Sequence, residues 1–406
     1  MSISRLLAYT SKRYISRTRT VPLRDFLEWI NLPNVVKKEN FFIDYHTTLK
    51  HGLLSSHFRT LSQVFDNSLA EYEPELSQCL AKSLLVDYKL NEYPYYDLTV
   101  LNIFTNADQA SKILGSVMEY LKSELSQSML ERIRIFMVPL YKLQPEEKRR
   151  LNKLELPANI EVFTESAIFE YADSFDGMTD IDASLAIKGH VVVEDPVHVV
   201  VFNDVLENLS HDLVRYHEGQ WEQCYIDIDP SGNKSKRFQA VLDPLCQQTI
   251  DHLILGSDSR KQITSDTEIY VPTQIVNLFN VLRYRVPEHK LFAVDMFQPP
   301  DCTSIWHRFI KSVLALSRTE PEGMESSTLV LGYNECQHRS IGNDDNLWHR
   351  ALKFIPNPHQ LQRLYTSVHD GRKICNIEPL DIFIDNWNGK TINHKNKSLY
   401  VMHARE

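Results

Sequence analysis

The sequence contains little glycine: 12 residues in a chain of 406, whereas soluble proteins average roughly 7%. Glycine lets a backbone adopt positive φ angles and approach a phosphate closely, so the shortage argues against folds that depend on many glycine-rich loops. The six cysteines include no CxxC pair, which gives no support to a zinc ribbon or a secreted disulfide scaffold and fits a reducing compartment. With 43% apolar and 10% aromatic residues, the chain can bury a core, which excludes a disordered chain.

Acidic residues are missing from the first 24 positions, which carry six Lys and Arg side chains. The net charge of the chain is −9, and it would be −15 without those six cations. A basic, Ser/Thr-rich leader in front of an acidic body has the composition of a mitochondrial presequence. On a helical wheel Ile3, Leu6, Leu7 and Tyr14 share one face, as in a membrane-surface helix. We therefore expect residues 1–24 to be a mitochondrial presequence and the protein to lie in the matrix; a disordered basic tail is the alternative.

The acidic body also limits the partners of the protein. Nonspecific nucleic-acid binding requires cationic side chains to neutralise phosphates, so no nucleic-acid partner is expected. No apolar run approaches the roughly 18 residues of a membrane span, so no span is expected. His46, His51 and His57 lie close in the chain, but they lack the i, i+4 spacing of a helical metal pair, and no metal site is predicted.

Runs of β-branched and aromatic residues alternate with helical patterns, which indicates βαβ units. Strands are predicted over 95–104, 133–138, 160–163, 197–202, 221–229 and 291–295, and helices over 21–30, 61–90 and 272–284. The stretch between 203 and 220 has a helix-like pattern. The fold class is therefore α/β, with a mostly parallel sheet covered by helices on both faces. The expected divisions are a helical N-terminal region (25–95), the α/β domain (96–300, with a polar insertion at about 256–266) and a mixed C-terminal portion (301–406).

Two segments carry a resemblance to a known family. Residues 199–210 read VVVFNDVLENLS and residues 221–229 read WEQCYIDID. These segments resemble two parts of the MidA-like family of class I methyltransferases, in the same order. The first resembles a strand followed by Asn-Glu-x-x-Asp-Ala-Leu-Pro, and the second resembles the family's Trp-Arg-Glu strand. Weaker matches at 61–65, 139–144 and 292–295 follow the same order, so the resemblance covers roughly residues 41 to 298.

The resemblance implies a class I methyltransferase-like, Rossmann-like fold. It also implies a mitochondrial protein arginine methyltransferase that uses S-adenosylmethionine and acts on a mitochondrial partner protein, such as a respiratory complex subunit, during complex assembly.

The positions that correspond to the family's cofactor site differ from the family pattern. Where the family has Glu-x-Gly-Pro-Gly-x-Gly, this chain has Asn102, Phe104, Asn106 and Asp108 within NIFTNAD, so all three glycines are replaced. Where the family has an acidic residue that accepts the ribose hydroxyls at the end of the second strand, this chain has Phe136 or Met137, and neither side chain can accept a comparable hydrogen bond. The residues themselves therefore leave binding of S-adenosylmethionine open.

The substrate-side candidates are Asn203, Asp204 and Glu207, which follow the buried strand. Carboxylates at this place could hold an arginine guanidinium in bidentate geometry, although Asp204 is equally explained as a helix cap. Two functions stay open: S-adenosylmethionine-dependent methylation of a partner protein, and a non-catalytic assembly or interaction protein descended from such an enzyme.

Overall fold

The structure of the protein is a computed structural model. The structure describes residues 18–31, 59–60, 69–105, 107–140, 143, 145–164, 167–168, 195–202, 205–231, 233–254, 268–296, 328–331, 352–388 and 399–405.

The described residues form fifteen strands and nine α-helices. The strands are β1 (Arg19–Pro22), β2 (Arg59–Thr60), β3 (Leu98–Phe104), β4 (Ile133–Pro139), β5 (Ile160–Val162), β6 (Val197–Val201), β7 (Asp212–His217), β8 (Gln220–Ile228), β9 (Lys234–Gln239), β10 (Glu268–Val271), β11 (His289–Met296), β12 (Thr328–Leu331), β13 (Leu352–Ile355), β14 (Ile374–Pro379) and β15 (Leu399–Arg405). The helices are α1 (Leu23–Asn31), α2 (Glu73–Asp87), α3 (Ala107–Glu124), α4 (Gln127–Leu130), α5 (Pro145–Leu151), α6 (Pro244–Ile254), α7 (Thr273–Arg285), α8 (Pro358–Val368) and α9 (Leu380–Asn388). None of the described helices is long and apolar enough to cross a membrane.

The chain divides into two compact units, each built from separate stretches. The first unit comprises 1–64, 209–274 and 304–355, and the second comprises 65–208, 275–303 and 356–406. These units do not follow the linear divisions expected from the sequence. Helix α1 belongs to the first unit and α2 to the second, and the last fifty or so residues complete the sheet of the second unit.

The second unit contains a seven-stranded sheet in the order β14-β15-β11-β6-β3-β4-β5. Strands β5, β4, β3, β6 and β11 run parallel to one another, whereas β15 is antiparallel to both β11 and β14. The run VHVVV of β6 is buried at every position, as expected for a central strand with both faces covered. The predicted α/β fold with a mostly parallel sheet is confirmed.

Helices cover both faces of this sheet. One face packs on α2, α3 and α9 through alternate strand residues that include Val100, Phe104, Phe202 and Val294. On the opposite face, Tyr365 of α8 contacts His289 of β11, with 2.8 Å between the hydroxyl oxygen and Nε2. Burial of these apolar side chains is the main favourable contribution to the stability of the unit.

The first unit contains an antiparallel sheet in the order β1-β8-β7-β10, and β9 pairs with β8. Residues 221–229 are predicted as a strand of the mostly parallel α/β domain, but they lie in β8 (Gln220–Ile228) and its end, in this separate antiparallel sheet. In β8, Cys224 and Ile226 are buried while their neighbour Tyr225 is half-buried, a pattern typical of an antiparallel sheet with one solvated face. The helix-like interpretation of 203–220 is wrong, because the described part of that stretch holds a single 3-10 turn (Leu206–Asn208) and β7.

The end of the expected presequence is part of the folded first unit. Residues Arg19–Pro22 form β1, and Arg24 lies in α1 with only 9% of its surface exposed. Residues 1–17 lie outside the described residues, as does the polar insertion at 256–266. The presequence therefore stays a prediction, but its last six residues belong to secondary structure.

Two buried histidines make the stability of the second unit dependent on pH. Burial, with charge from Lys373 and His369, lowers the pKa of His289 to about 3, and burial lowers that of His369 to about 4. Unfolded histidines titrate near pH 6.5, so the unfolded chain binds more protons below that pH. The stability gained from neutral burial is present above pH 6.5 and is lost as the pH falls towards 4.

We expect His369→Asn to reduce this pH dependence, because asparagine keeps a donor for the Tyr365 carbonyl oxygen, 2.7 Å from Nδ1, but does not titrate. Urea unfolding at pH 8, 6.5, 5.5 and 4.5 measures the free energy of unfolding of both proteins. Identical slopes against pH in the variant and the wild type would contradict the assignment of His369.

Candidate functional site

The parallel strands of the second unit end together at one edge of the sheet. Ile103 of β3 lies opposite Val138 of β4 and Val201 of β6, and Ala293 of β11 lies opposite Val201. Ligands of open α/β sheets bind beyond the carboxyl ends of the strands, so the residues that follow these positions form the candidate site. We call this place the carboxyl edge.

The first strand at the carboxyl edge directs its candidate residues into the protein. Asn102 is fully buried, and its Nδ2 donates a hydrogen bond to the carbonyl oxygen of Val200 at 3.0 Å. Its Oδ1 accepts no hydrogen bond within the part of the chain that the structure describes. Phe104 is 2% exposed and lies in the core formed with α2 and α3. Its carbonyl oxygen accepts a hydrogen bond from the Leu140 amide at 2.8 Å.

The other cofactor-side candidates have contacts of their own. Asp108 lies in the first turn of α3, where its exposed carboxylate pairs with Arg150 at 2.9 Å. Phe136 of β4 is half-buried, and its ring centroid lies 5.7 Å from that of Phe163. Asn106 lies outside the described residues. The described positions thus contact other parts of the chain, and the structure gives no cluster that joins all of them.

On the substrate side the structure describes one of the three candidates. Asn203 and Asp204 lie outside the described residues, whereas Glu207 is fully buried in the 3-10 turn Leu206–Asn208. The carboxylate of Asp295 at the end of β11 accepts hydrogen bonds from the amides of Leu206, at 2.8 Å, and Glu207, at 3.3 Å. Asp295 therefore fixes the turn that follows β6 against the neighbouring strand.

Asp295 was not among the residues selected from the sequence. It is fully buried, and a buried carboxylate persists only where hydrogen bonds or charges compensate its desolvation. The signal was available, because an acidic residue ends the apolar run 291–294 of a predicted strand. What could not be read from the sequence is that its partners are backbone amides 88 and 89 residues away.

Comparison with known proteins identifies the family of the chain. A family model described as S-adenosyl-L-methionine-dependent methyltransferase matches residues 79–323. The chain belongs to this methyltransferase family. It is 34% identical over 376 residues, covering 91% of this chain and 83% of the relative, to the Saccharomyces cerevisiae protein named "Protein arginine methyltransferase NDUFAF7 homolog, mitochondrial". This agrees with the predicted MidA-like resemblance.

Two solved structures from Burkholderia thailandensis share the methyltransferase fold. One is a COG1565 superfamily member bound to S-adenosyl-homocysteine, with 12% sequence identity, a TM-score of 0.50, and coverage of 99% of this chain and 91% of that chain. The other is a native COG1565 superfamily protein with 11% identity, a TM-score of 0.52 and the same coverage. At this level of identity the likeness concerns the fold, and it confirms the predicted class I methyltransferase-like architecture.

The methyltransferase family implies S-adenosylmethionine, and the described residues do not fit it well. The Oδ1 of Asn102, to which no described residue donates, is one acceptor that a bound ligand could use. Phe104, however, is packed in the core where the family pattern has a loop glycine, and Phe136 and Phe163 form an apolar pair where the ribose hydroxyls would need a carboxylate. The site thus offers the Oδ1 of Asn102 but neither the glycine loop nor the acidic residue of the family pattern. S-adenosylmethionine is charged and carries ribose hydroxyls, so these residues are a poor match to it.

Two groups of acidic residues in this methyltransferase-family chain have the spacing of metal ligands, but each already contacts a cation of the protein. Asp87 at the end of α2, Glu92 in the turn that follows it and His198 in β6 form the first group. Lys290 Nζ of β11 is 2.7 Å from Asp87 and 2.9 Å from Glu92. Burial opposes ionisation of Glu92, but hydrogen bonds and charge from His198 and Lys290 hold its pKa below the usual value.

The second group belongs to the first unit and consists of Asp212, Asp243 and Cys246. Arg24 Nη1 lies 2.7 Å from Asp212 and 2.8 Å from Asp243. Burial raises the pKa of the Cys246 thiol, and the thiolate is the form that binds metals. The arrangement of both groups is that of an ion-pair network.

The Asp295 carboxylate provides a test of how the carboxyl edge is held. We expect Asp295→Ala to lower the free energy of unfolding by at least about 2 kcal/mol, because the buried amides of Leu206 and Glu207 lose their common acceptor. Asp108→Ala, which removes an exposed ion pair, should cost less than about 1 kcal/mol. Urea unfolding of both variants measures the difference. Equal losses would show that Asp295 does not hold the turn.

Proposed function

We propose that this member of the methyltransferase family acts in mitochondria as a non-catalytic protein that binds a partner protein and assists its assembly, without using S-adenosylmethionine. The observation that carries the proposal is the burial of Phe104 within the core, at a position where the family pattern has a glycine of the methyl-donor loop. The apolar pair of Phe136 and Phe163 supports it, because it offers the ribose no carboxylate. A surface that recognises a peptide by charge and shape can persist after such losses.

The proposed mitochondrial location is supported by two independent observations. The S. cerevisiae relative carries "mitochondrial" in its name, and the first 17 residues of this chain contain four Lys and Arg residues and no acidic residue. A transit peptide needs this acid-poor, Arg-rich, amphipathic composition. The proposed partner is a mitochondrial protein, and the family resemblance implies a respiratory complex subunit.

A reporter fused to residues 1–24 should therefore enter mitochondria. Substituting the basic residues Arg5, Lys12, Arg13 and Arg17 with glutamine should abolish import, because the positive face of the leader is lost. Fractionation and protease protection of the reporter measure the location. A reporter that stays in the cytosol with the natural leader would contradict the presequence.

The second candidate function is S-adenosylmethionine-dependent methylation of arginine on a partner protein. It is favoured by the name of the S. cerevisiae relative, which is 34% identical over 91% of this chain. In this alternative, Asp204 and Glu207 would hold the guanidinium through bidentate, charge-assisted hydrogen bonds, with Asn203 beside them. The Oδ1 of Asn102, which accepts no hydrogen bond from the described residues, would be an acceptor at the cofactor side.

Titration of the purified chain with S-adenosylmethionine and S-adenosyl-homocysteine separates the two candidates. We expect neither heat of binding nor a thermal shift at millimolar ligand. The B. thailandensis protein that was crystallised with S-adenosyl-homocysteine is the positive control. Micromolar binding would overturn the non-catalytic proposal, and it would stabilise the chain by about 2.7 kcal/mol at a hundredfold excess over Kd.

A further inference from the structure

The last residues of the basic leader are a strand of the first unit. In β1, Arg19, Thr20, Val21 and Pro22 lie opposite Ile228, Asp227, Ile226 and Tyr225 of β8, in that order. The side chain of Thr20 adds a hydrogen bond from its hydroxyl to the Asp227 carboxylate at 2.5 Å. This segment is therefore held by both backbone pairing and a side-chain contact.

The edge of β8 needs this strand. Residues 225–228 pair with β9 on one side and with β1 on the other, while β7 pairs with β8 only over residues 220–223. Without β1 the second half of β8 would present unpaired amide and carbonyl groups along that side. An exposed row of this kind is a template for pairing with other chains, which folded proteins avoid.

Arg24 is a still stronger link between the leader and the first unit. Its guanidinium Nη1 donates to Asp212 at 2.7 Å and to Asp243 at 2.8 Å, across 188 and 219 residues of sequence. Gln223 donates to the second oxygen of Asp212 at 3.0 Å, and the Asp243 amide donates to Gln223 at 2.8 Å. Within the part of the chain that the structure describes, Arg24 is the cation that contacts the carboxylates of both Asp212 and Asp243.

The burial of this network makes the cation indispensable. Asp212 is fully buried and Arg24 is 9% exposed. Burial raises the pKa of Asp212 and the guanidinium opposes that rise, whereas the same guanidinium and hydrogen bonds hold the pKa of Asp243 below its usual value. Removing one partner of a buried ion pair leaves the other charge without compensation, which is strongly destabilising.

We infer that the presequence of this protein is cut upstream of Arg19, so that the mature protein keeps β1 and Arg24 as parts of its first unit. The inference rests on the proposed mitochondrial import. It corrects the boundary that composition alone suggests, because the six basic residues of the leader have two roles. Arg5, Lys12, Arg13 and Arg17 belong to the removable part, whereas Arg19 and Arg24 belong to the fold.

The position of the cut is measured on the full chain expressed in a eukaryotic cell and purified from its mitochondria. Mass spectrometry of the amino-terminal peptide should find a first residue after position 1 and no later than Arg19. An amino terminus at Thr20 or beyond would remove part of β1 and would overturn the inference. A purified protein that still carries residue 1 would overturn both the cut and the presequence. Whether the protein binds S-adenosylmethionine would not be affected by this result, because the ligand titration tests it separately.

A second measurement tests the structural reason. In the full chain, Arg24→Gln should raise the unfolding equilibrium constant by about 100-fold or more, whereas Arg19→Gln, at an exposed position of the same strand-and-helix segment, should change it less than about threefold. The double variant Arg24→Gln, Asp212→Asn should recover part of the loss, because the buried charge is removed together with its partner.

Urea unfolding measures all three proteins. Recovery in the double variant separates the loss of charge compensation from a general failure to pack. Equal stability of Arg24→Gln and Arg19→Gln would contradict the role of Arg24 and leave no structural reason for the cut to lie upstream.

Discussion

The parallel pairing of β3 between β4 and β6 is the constraint on which the rest of the second unit depends. It places seven residues of β3 in register with β4 and brings the ends of β4, β6 and β11 to a single edge. Because side chains alternate along each strand, this register also decides which residues face the helices. Phe104 lies on the face of β3 that packs on α2 and α3, and its place there follows from the register.

This placement has a chemical consequence. A phenylalanine side chain that contributes to the core gains the favourable free energy of apolar burial, of order 1.5–3 kcal/mol, at a position where a glycine would contribute none. The same exchange removes the close backbone approach that a methyl-donor loop requires. At position 104, a large apolar side chain stabilises the core, whereas a glycine would leave room for a cofactor. This chain has phenylalanine there, which packs in the core.

Much of the parallel sheet could be predicted because its signals are local. The stretches 133–138 and 197–202 each contain five apolar residues out of six, many of them β-branched. They therefore appear as β4 and β6 within a residue of the expected bounds. The sheet to which a strand belongs is a long-range property. Residues 221–229 were correctly predicted to be extended, but their partners β1 and β9 were set by pairings that their own pattern does not encode.

The same distinction applies to the candidate site. Residue types at the ends of strands identified the carboxyl edge, and family resemblance named the positions, but whether a side chain faces a ligand or the core depends on packing. Asn102, Phe104 and Phe136 were selected for their place in the sequence, and the structure shows each of them with an internal contact. The sequence shows Asp295 as an acidic residue at the end of a strand, but it does not show that the partners of this carboxylate are the backbone amides of Leu206 and Glu207.

The basic leader shows how composition can merge two physical roles. An Arg-rich, acid-poor segment has the composition of an import signal, and composition does not distinguish an arginine of the signal from an arginine of the folded unit. Burial separates them: an exposed arginine contributes only charge, whereas Arg24 compensates a fully buried carboxylate. A desolvated charge is tolerated only with its partner in place, so the folded first unit sets a limit on how far the leader can extend, and that limit lies before the strand that delivers Arg24.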